Sequence, residues 1–267
     1  MSILPTAENP MLLFGCGNMG RAMLDGWLAA GFDPAAFAVV DPNSFALPAG
    51  VAQHHDVKQL VRSFDLALLA IKPQLFSELA GEVEQALSSD ARVLSILAGT
   101  RIEKLQALLP GRSIVRVMPN LAAALGKSPI GLFSTGTIDR TEIGALFAPL
   151  GSSYWLDAEE QMDAVTALAG SGPAFVYRFI DALAKAGARL GLDEQQSRAL
   201  AKAMVEGASA LASASDDDPE VLARKVTSPG GTTAAGLAVL DEGRALERLI
   251  EATLTAARDR GIELSRG

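Results

Sequence analysis

Over the first 157 residues, short apolar runs alternate with amphipathic stretches. The runs are MLLFG (11–15), FAVVD (37–41), DLALLAI (65–71), RVLSIL (92–97) and SIVRVM (113–118). Each has strand length and follows a turn or a helix-like segment. Between them, Asn18 to Ala30, stopped by Gly31, and Leu75 to Leu87 place apolar residues at helical spacing. The alternation predicts a parallel sheet, and strands apolar at nearly every position predict that helices cover both its faces. A further strand, helix and strand are expected at Ile130 to Ser134, Thr141 to Ala148 and Ser152 to Leu156.

After Asp157 strand signals stop and helix punctuation takes over, with more than half of the alanines lying in 158–267. Pro173 opens a helix to about Leu190 that is apolar on nearly all sides (Phe175, Val176, Phe179, Ile180, Leu183), so it must be buried. Asp193 with Gln196 caps a helix to about Leu211, Asp218-Pro219 starts a short one, and the last helix runs from about Arg244 to Gly261. The fold class is α/β: a doubly wound parallel-sheet domain over 1–157, with 1–10 as a flexible tail, and then an all-α domain over 158–267.

Composition narrows what such a fold can serve. With 267 residues, 49% of them hydrophobic, the chain can bury a large core and is not disordered as a whole. A net charge of -8 repels phosphate backbones and anionic lipid, which excludes nucleic acid and membrane surfaces as partners. The single cysteine, Cys16, permits neither an internal disulfide nor a thiolate zinc cluster, and fits a reducing cytoplasm. No metal site is expected. The first ten residues carry no Lys or Arg, and no uncharged apolar run approaches the ~18 residues of a membrane span.

The chemistry begins at Gly15-Cys16-Gly17-Asn18-Met19-Gly20, a G-x-G-x-x-G that follows a strand and opens a helix. Gly15 allows the tight turn, Gly17 lets a pyrophosphate reach the backbone, and Gly20 lets helix and strand pack closely, while the helix N-terminus offers free N–H groups. Asp41 ends the next strand, where a carboxylate can accept hydrogen bonds from an adenosine ribose. These features define a Rossmann-type dinucleotide-binding domain. Two more strand ends, Ala70-Ile71-Lys72-Pro73 and Ala98-Gly99-Thr100, point to the same crevice, with Lys72 either framing the cofactor or donating a proton. His54 and His55, side by side in a loop, read as surface or adenosine-side residues.

In the helical half, Ser228-Pro229-Gly230-Gly231-Thr232-Thr233 stands between two helices, the second beginning near Thr232. Successive N–H groups of glycine and threonine at a helix N-terminus form a cradle for a small anion such as a carboxylate, and both hydroxyls can add donors. A plain interhelix turn capped by Thr232 is the alternative. Gly170-Ser171-Gly172-Pro173 either starts a helix or admits a nicotinamide ring.

Together FGCGNMG (14–20), AIKPQ (70–74), LAGT (97–100), VRVMPN (115–120), DAVTALAGSGPAFVY (163–177) and VTSPGGTT (226–233) make the chain resemble the pyrroline-5-carboxylate reductases from Phe14 to about Glu251. The resemblance implies reduction of the cyclic imine Δ1-pyrroline-5-carboxylate to L-proline by NADPH or NADH. It also implies a helical domain that interlocks between subunits, with a homodimer as the unit and often a larger ring. Carried over by position, Gly15 to Gly20, Ala70 to Pro73 and Ala98-Gly99 contact the cofactor, and Met118, Pro119 and Asn120 lie near its nicotinamide. Ser228 and Gly230 to Thr233 hold the substrate, and Glu159 corresponds to a position near its amine, although Glu160 beside it leaves the register open. The chain departs from the family at Ala223-Arg224, where Lys-Asp is common, and at Leu121, where Thr is.

A protonated imine is already electrophilic, so a positioned hydroxyl suffices without a strong protein acid. Thr233 is assigned to the imine nitrogen and the glycine cradle to the carboxylate, in a near-attack arrangement with the cofactor. Two rivals remain. A β-hydroxyacid dehydrogenase would need a lysine followed by an asparagine on one helix face, whereas all four asparagines precede the helical half. A non-catalytic nucleotide sensor would have no use for the second anion cradle. On cofactor choice the signals divide, because the family favours NADPH while Asp41 leans to NADH. A carboxylate about 5 Å from a phosphate charge at an effective dielectric of ~20 is repelled by about 3 kcal/mol.

Overall fold

The computed structural model describes residues 3–266, with side chains up to Leu264. The eight strands of one sheet are β1 (Met11–Phe14), β2 (Phe37–Val40), β3 (Ala52–His54), β4 (Phe64–Leu69), β5 (Leu87–Ser95), β6 (Ser113–Met118), β7 (Ser128–Phe133) and β8 (Gly151–Trp155). Their order is β3-β2-β1-β4-β5-β6-β7-β8, parallel from β3 through β6, with β7 antiparallel to β6 and β8 parallel to β7. The first six strands follow the doubly wound order, in which the chain reverses direction across the sheet beside β1.

Alternate residues of each strand feed two cores, one on each face. Met11 and Leu13 of β1 pack with Trp27, Phe37 and Phe147, while Leu12 and Phe14 pack with Phe76, Val83 and Leu105. Helix α1 (Asn18–Ala29) buries Met23, Leu24 and Trp27. The Trp27 ring stacks on Phe37 with centroids 5.6 Å apart, and its Nε1 donates to the Leu146 carbonyl at 2.8 Å. Helices α2 (Phe76–Ala86), α3 (Ile102–Leu108) and α4 (Arg140–Phe147) complete the cover.

Two expectations need correction here. Residues 3–10 are not a flexible tail: Ile3 and Pro5 are buried, and the Ile3 N–H donates to Glu142 Oε1 at 3.0 Å. Residues 1 and 2 lie outside the described part. The histidine pair is not simply a loop, because His54 ends the edge strand β3, paired with Val40.

Contacts divide the chain into two compact units, one reaching Gly170 and resuming at Ala257, the other Ser171–Ala256. In the first, α5 (Gln161–Val165) runs into a π-helical turn, Thr166–Gly170. The second holds α6 (Gly172–Arg189), α7 (Glu194–Ala214), α8 (Pro219–Lys225), α9 (Thr232–Asp241) and most of α10 (Ala245–Arg266). Asp193 caps α7 as its sequence requires, its Oδ1 accepting from the N–H groups of Gln195 and Gln196. The apolar helix α6 is not buried within one chain, because Tyr177 is 64% and Phe179 50% exposed. Val239 of α9 and Leu249 of α10 are exposed as well. No helix among the described residues is long and apolar enough to cross a membrane.

Candidate active site

The glycine loop begins where β1 ends between β2 and β4. Gly15 donates its N–H to the Val40 carbonyl, Ala70 donates to the Phe14 carbonyl, and the two turns meet side by side. Gly15 takes φ +88°, and a Cβ there would lie 2.7 Å from the Ala70 carbonyl oxygen, so only glycine fits. A Cβ on Gly20 would lie 2.8 Å from the Gly15 oxygen, which fixes how closely α1 approaches the loop. Gly17 differs from both: a Cβ there would meet nothing within 4 Å. Its missing side chain therefore serves no contact inside the protein and leaves room for a ligand. Gly17 is also the N-cap of α1 and has no side chain to cap it, so the first N–H groups of the helix face that room. These features fit a dinucleotide pyrophosphate.

The other strand ends converge on this edge. Lys72 is exposed at the N-terminus of a short 3-10 turn, Pro73–Leu75. Gly99 turns the chain beyond β5 with φ +71°. Met118, which ends β6, and Pro119 and Asn120 beyond it are buried, and Asn120 joins three segments: its N–H donates to Ser128 Oγ, its Nδ2 to the Ala169 carbonyl, and its Oδ1 accepts from the Ala122 N–H. Thus the π-helical turn is tied to the end of β6, and a Cβ on its last residue, Gly170, would lie 3.5 Å from Met118 Sδ. Such turns interrupt regular helices frequently at functional positions.

Asp41 does not face outward as a bare carboxylate. It is 8% exposed; Oδ2 accepts from the Cys16 N–H at 2.9 Å, and Oδ1 accepts from both the backbone N–H and Nδ2 of Asn43. The premise for NADH, an unshielded carboxylate against the ribose, does not hold in this geometry. Cys16 itself is buried, and burial above all pushes its thiol from 9.0 up to about 11. It is a neutral packing group near neutral pH, and alkylation by iodoacetamide is expected only when the protein is unfolded, followed by mass spectrometry.

Sequence reasoning missed a cluster of ion pairs. Arg116, in the middle of β6 and 4% exposed, donates from Nη1 to Glu159 Oε1 at 2.7 Å, and the same oxygen accepts from the Ile102 N–H at 2.7 Å. Glu160 turns away to Arg101, which also lies 3.7 Å from Asp163. The backbone N–H of Glu160, and then Arg101, hold its carboxyl below the usual range. The two glutamates therefore differ in kind. Glu159 is anchored through Oε1 while Oε2 makes no hydrogen bond among the described residues, and Glu160 is a surface ion-pair partner. A charge in the middle of an apolar strand was the available signal, since a buried arginine requires a carboxylate. Arg116→Ala is expected to destabilise the fold by about 3 kcal/mol, because it strands a mostly buried carboxylate; denaturant unfolding measures this, and a change within experimental error would contradict it.

In the second unit, Ser228 to Gly231 form a type II turn: the Gly231 N–H donates to the Ser228 carbonyl at 3.0 Å, Pro229 is second and Gly230 third with φ +69°. Gly231 then caps α9 without a side chain. Thr232 and Thr233, at the first two helical positions, have no helical carbonyl one turn back to bond. Their hydroxyls are free among the described residues, whereas those of Thr166, Thr227 and Thr253 each donate to the carbonyl four residues earlier. The turn thus presents exposed N–H and O–H donors together.

The doubly wound sheet and its glycine loop define a dinucleotide-binding protein, and its helical unit leaves apolar faces exposed. Comparison with known proteins narrows the class. Residues 159–264 match the family described as pyrroline-5-carboxylate reductase dimerisation, and 11–99 match NADP oxidoreductase coenzyme F420-dependent. The pyrroline-5-carboxylate reductase of Haemophilus influenzae is 34% identical over 92% of this chain and 95% of that protein, and the one from Arabidopsis thaliana is 35% identical over 99% of each. Among solved structures, the reductase of Coxiella burnetii superposes with a TM-score of 0.88 at 31% identity over 96% of this chain and 98% of its own. The Plasmodium falciparum enzyme, with NADP bound, gives 0.85 at 26% over 97% and 99%. The chain belongs to the pyrroline-5-carboxylate reductase family.

Proposed function

We propose that the chain reduces Δ1-pyrroline-5-carboxylate to L-proline with NAD(P)H, the last step of proline biosynthesis, in the cytoplasm. The observation that carries this reading is the Ser228 to Thr233 turn, where donors suited to a carboxylate stand beside a free threonine hydroxyl, in a chain that also carries a dinucleotide loop. Residues 1–157 act as the nucleotide-binding domain and 158–267 as the domain for substrate and dimerisation.

The carboxylate of the substrate accepts from the N–H groups and hydroxyls at the start of α9. Thr233 Oγ1 holds the imine nitrogen. Gly15 to Gly20, Ala70 to Pro73, Ala98-Gly99 and Met118 to Asn120 hold NAD(P)H, which supplies the hydride for C5 of the ring. Alignment and electrostatics thus take the place of a strong acid.

The test is the loss of reduced-cofactor absorbance with the five-membered imine, with its six-membered homologue and with open-chain hydroxy acids. Turnover is expected on the first, and turnover confined to hydroxy acids would replace the reading with a dehydrogenase. The exposed faces of α6, α9 and α10 support an obligate homodimer, which family habit extends to a ring. Light scattering at low micromolar concentration is expected to give at least two chains of 27.8 kDa, and a stable folded monomer would contradict this.

A further inference from the structure

The loop after β2 carries no Arg or Lys of its own, since none occurs between Arg21 and Lys58. The fold supplies one from elsewhere. Arg21, one residue beyond the glycine motif, reaches this loop: Nη1 donates to the Ala46 carbonyl at 2.8 Å, while Nε donates to Asp25 Oδ1 at 2.7 Å. The guanidinium is held at two points and 35% exposed, and its Nη2 makes no hydrogen bond among the described residues. At the start of the same loop, the Asp41 carboxylate is occupied by Cys16 and Asn43, and Gln53 Nε2 fixes the Asn43 carbonyl. His55 Nδ1 lies 3.3 Å from the Asp41 carbonyl. The end of β2 is where a dinucleotide's adenosine ribose lies, and an arginine nearby is what a 2′-phosphate needs.

We propose that Arg21 is the residue that recognises the 2′-phosphate of NADPH. The inference rests on the reading of this crevice as a dinucleotide site. Asp25 and the Ala46 carbonyl orient the fork, leaving Nη2 to donate to the phosphate, with Asn43 and Ser44 as neutral neighbours. Asp41 shapes the loop from beneath, its oxygens turned to the Cys16 and Asn43 donors.

The experiment is calorimetric titration with adenosine 2′,5′-bisphosphate and with 5′-AMP, which differ only in that phosphate and need no turnover. Arg21→Gln is expected to weaken the bisphosphate about tenfold or more and to change AMP less than twofold, as loss of one charge-assisted hydrogen bond requires. In steady-state kinetics the same variant shifts the ratio of kcat/KM towards NADH by a similar factor. Asp25→Asn, which keeps the guanidinium, should hold the bisphosphate at least as tightly as the unaltered protein. Equal weakening of both nucleotides by Arg21→Gln would mean that Arg21 only braces the loop, and no change in either would mean that the phosphate lies elsewhere. Both results overturn the inference while leaving the reductase reading intact. An unaltered protein that binds neither nucleotide would overturn both.

Discussion

Gly17→Val is expected to weaken NAD(P)H binding by about 100-fold or more while leaving the folded structure and its unfolding midpoint nearly unchanged. A side chain at this position meets no protein atom within 4 Å, so the fold tolerates it. The same side chain fills the approach to the first N–H groups of α1, and losing two hydrogen bonds to a charged group, at about 1.5–3 kcal/mol each, gives a factor of that size. Gly15→Val behaves in the opposite way. At φ +88°, with a Cβ 2.7 Å from the Ala70 oxygen, it must damage the fold itself. Calorimetry for binding and denaturant unfolding for stability separate the two variants. Normal cofactor binding by Gly17→Val would remove the loop from the site.

The second large effect is expected at the cradle. Thr233→Ala should lower kcat by ~10-fold to 1000-fold and leave the cofactor Kd unchanged, because one hydrogen-bond partner is withdrawn from the reacting nitrogen while the nucleotide loop is untouched. The Thr233 hydroxyl makes no hydrogen bond among the described residues, so its removal leaves no partner stranded and the fold has little to lose. Gly231→Val tests the neighbouring half of the turn. Its Cβ would sit 3.2 Å from the Ser228 carbonyl oxygen, crowding the donors, and KM for the imine should rise more than kcat falls. Unchanged kcat in Thr233→Ala would strike this residue from the mechanism.

Much of this architecture was legible because its signals are local. The strand runs, the glycine spacing, the Asp193 cap and the Pro229-Gly230 turn each lie within a few residues, where periodicity and backbone chemistry act directly. Long-range facts were not legible. Whether Asp41 faces a ribose or the Cys16 N–H is decided by packing 25 residues apart, and Glu159 meets Arg116 across 43. Arg21 reaches Ala46 only after α1 and β2 are assembled side by side. Strand β3 escaped notice because Ala52-Gln53-His54 is short, edge-placed and half polar, so no apolar run marks it. The tail at 3–10 was misread for a related reason: Ile3 finds its partner in Glu142, which sequence distance conceals.

The central claim is that this chain delivers hydride to C5 of a cyclic imine, and isotope transfer tests it most directly. Pyrroline-5-carboxylate is incubated with the protein and cofactor deuterated at the transferring position, and the product is read by mass spectrometry and NMR. The account predicts L-proline carrying one deuterium, at C5, in step with the cofactor oxidised. Cofactor that binds without oxidation, or product with deuterium elsewhere or none, would contradict it.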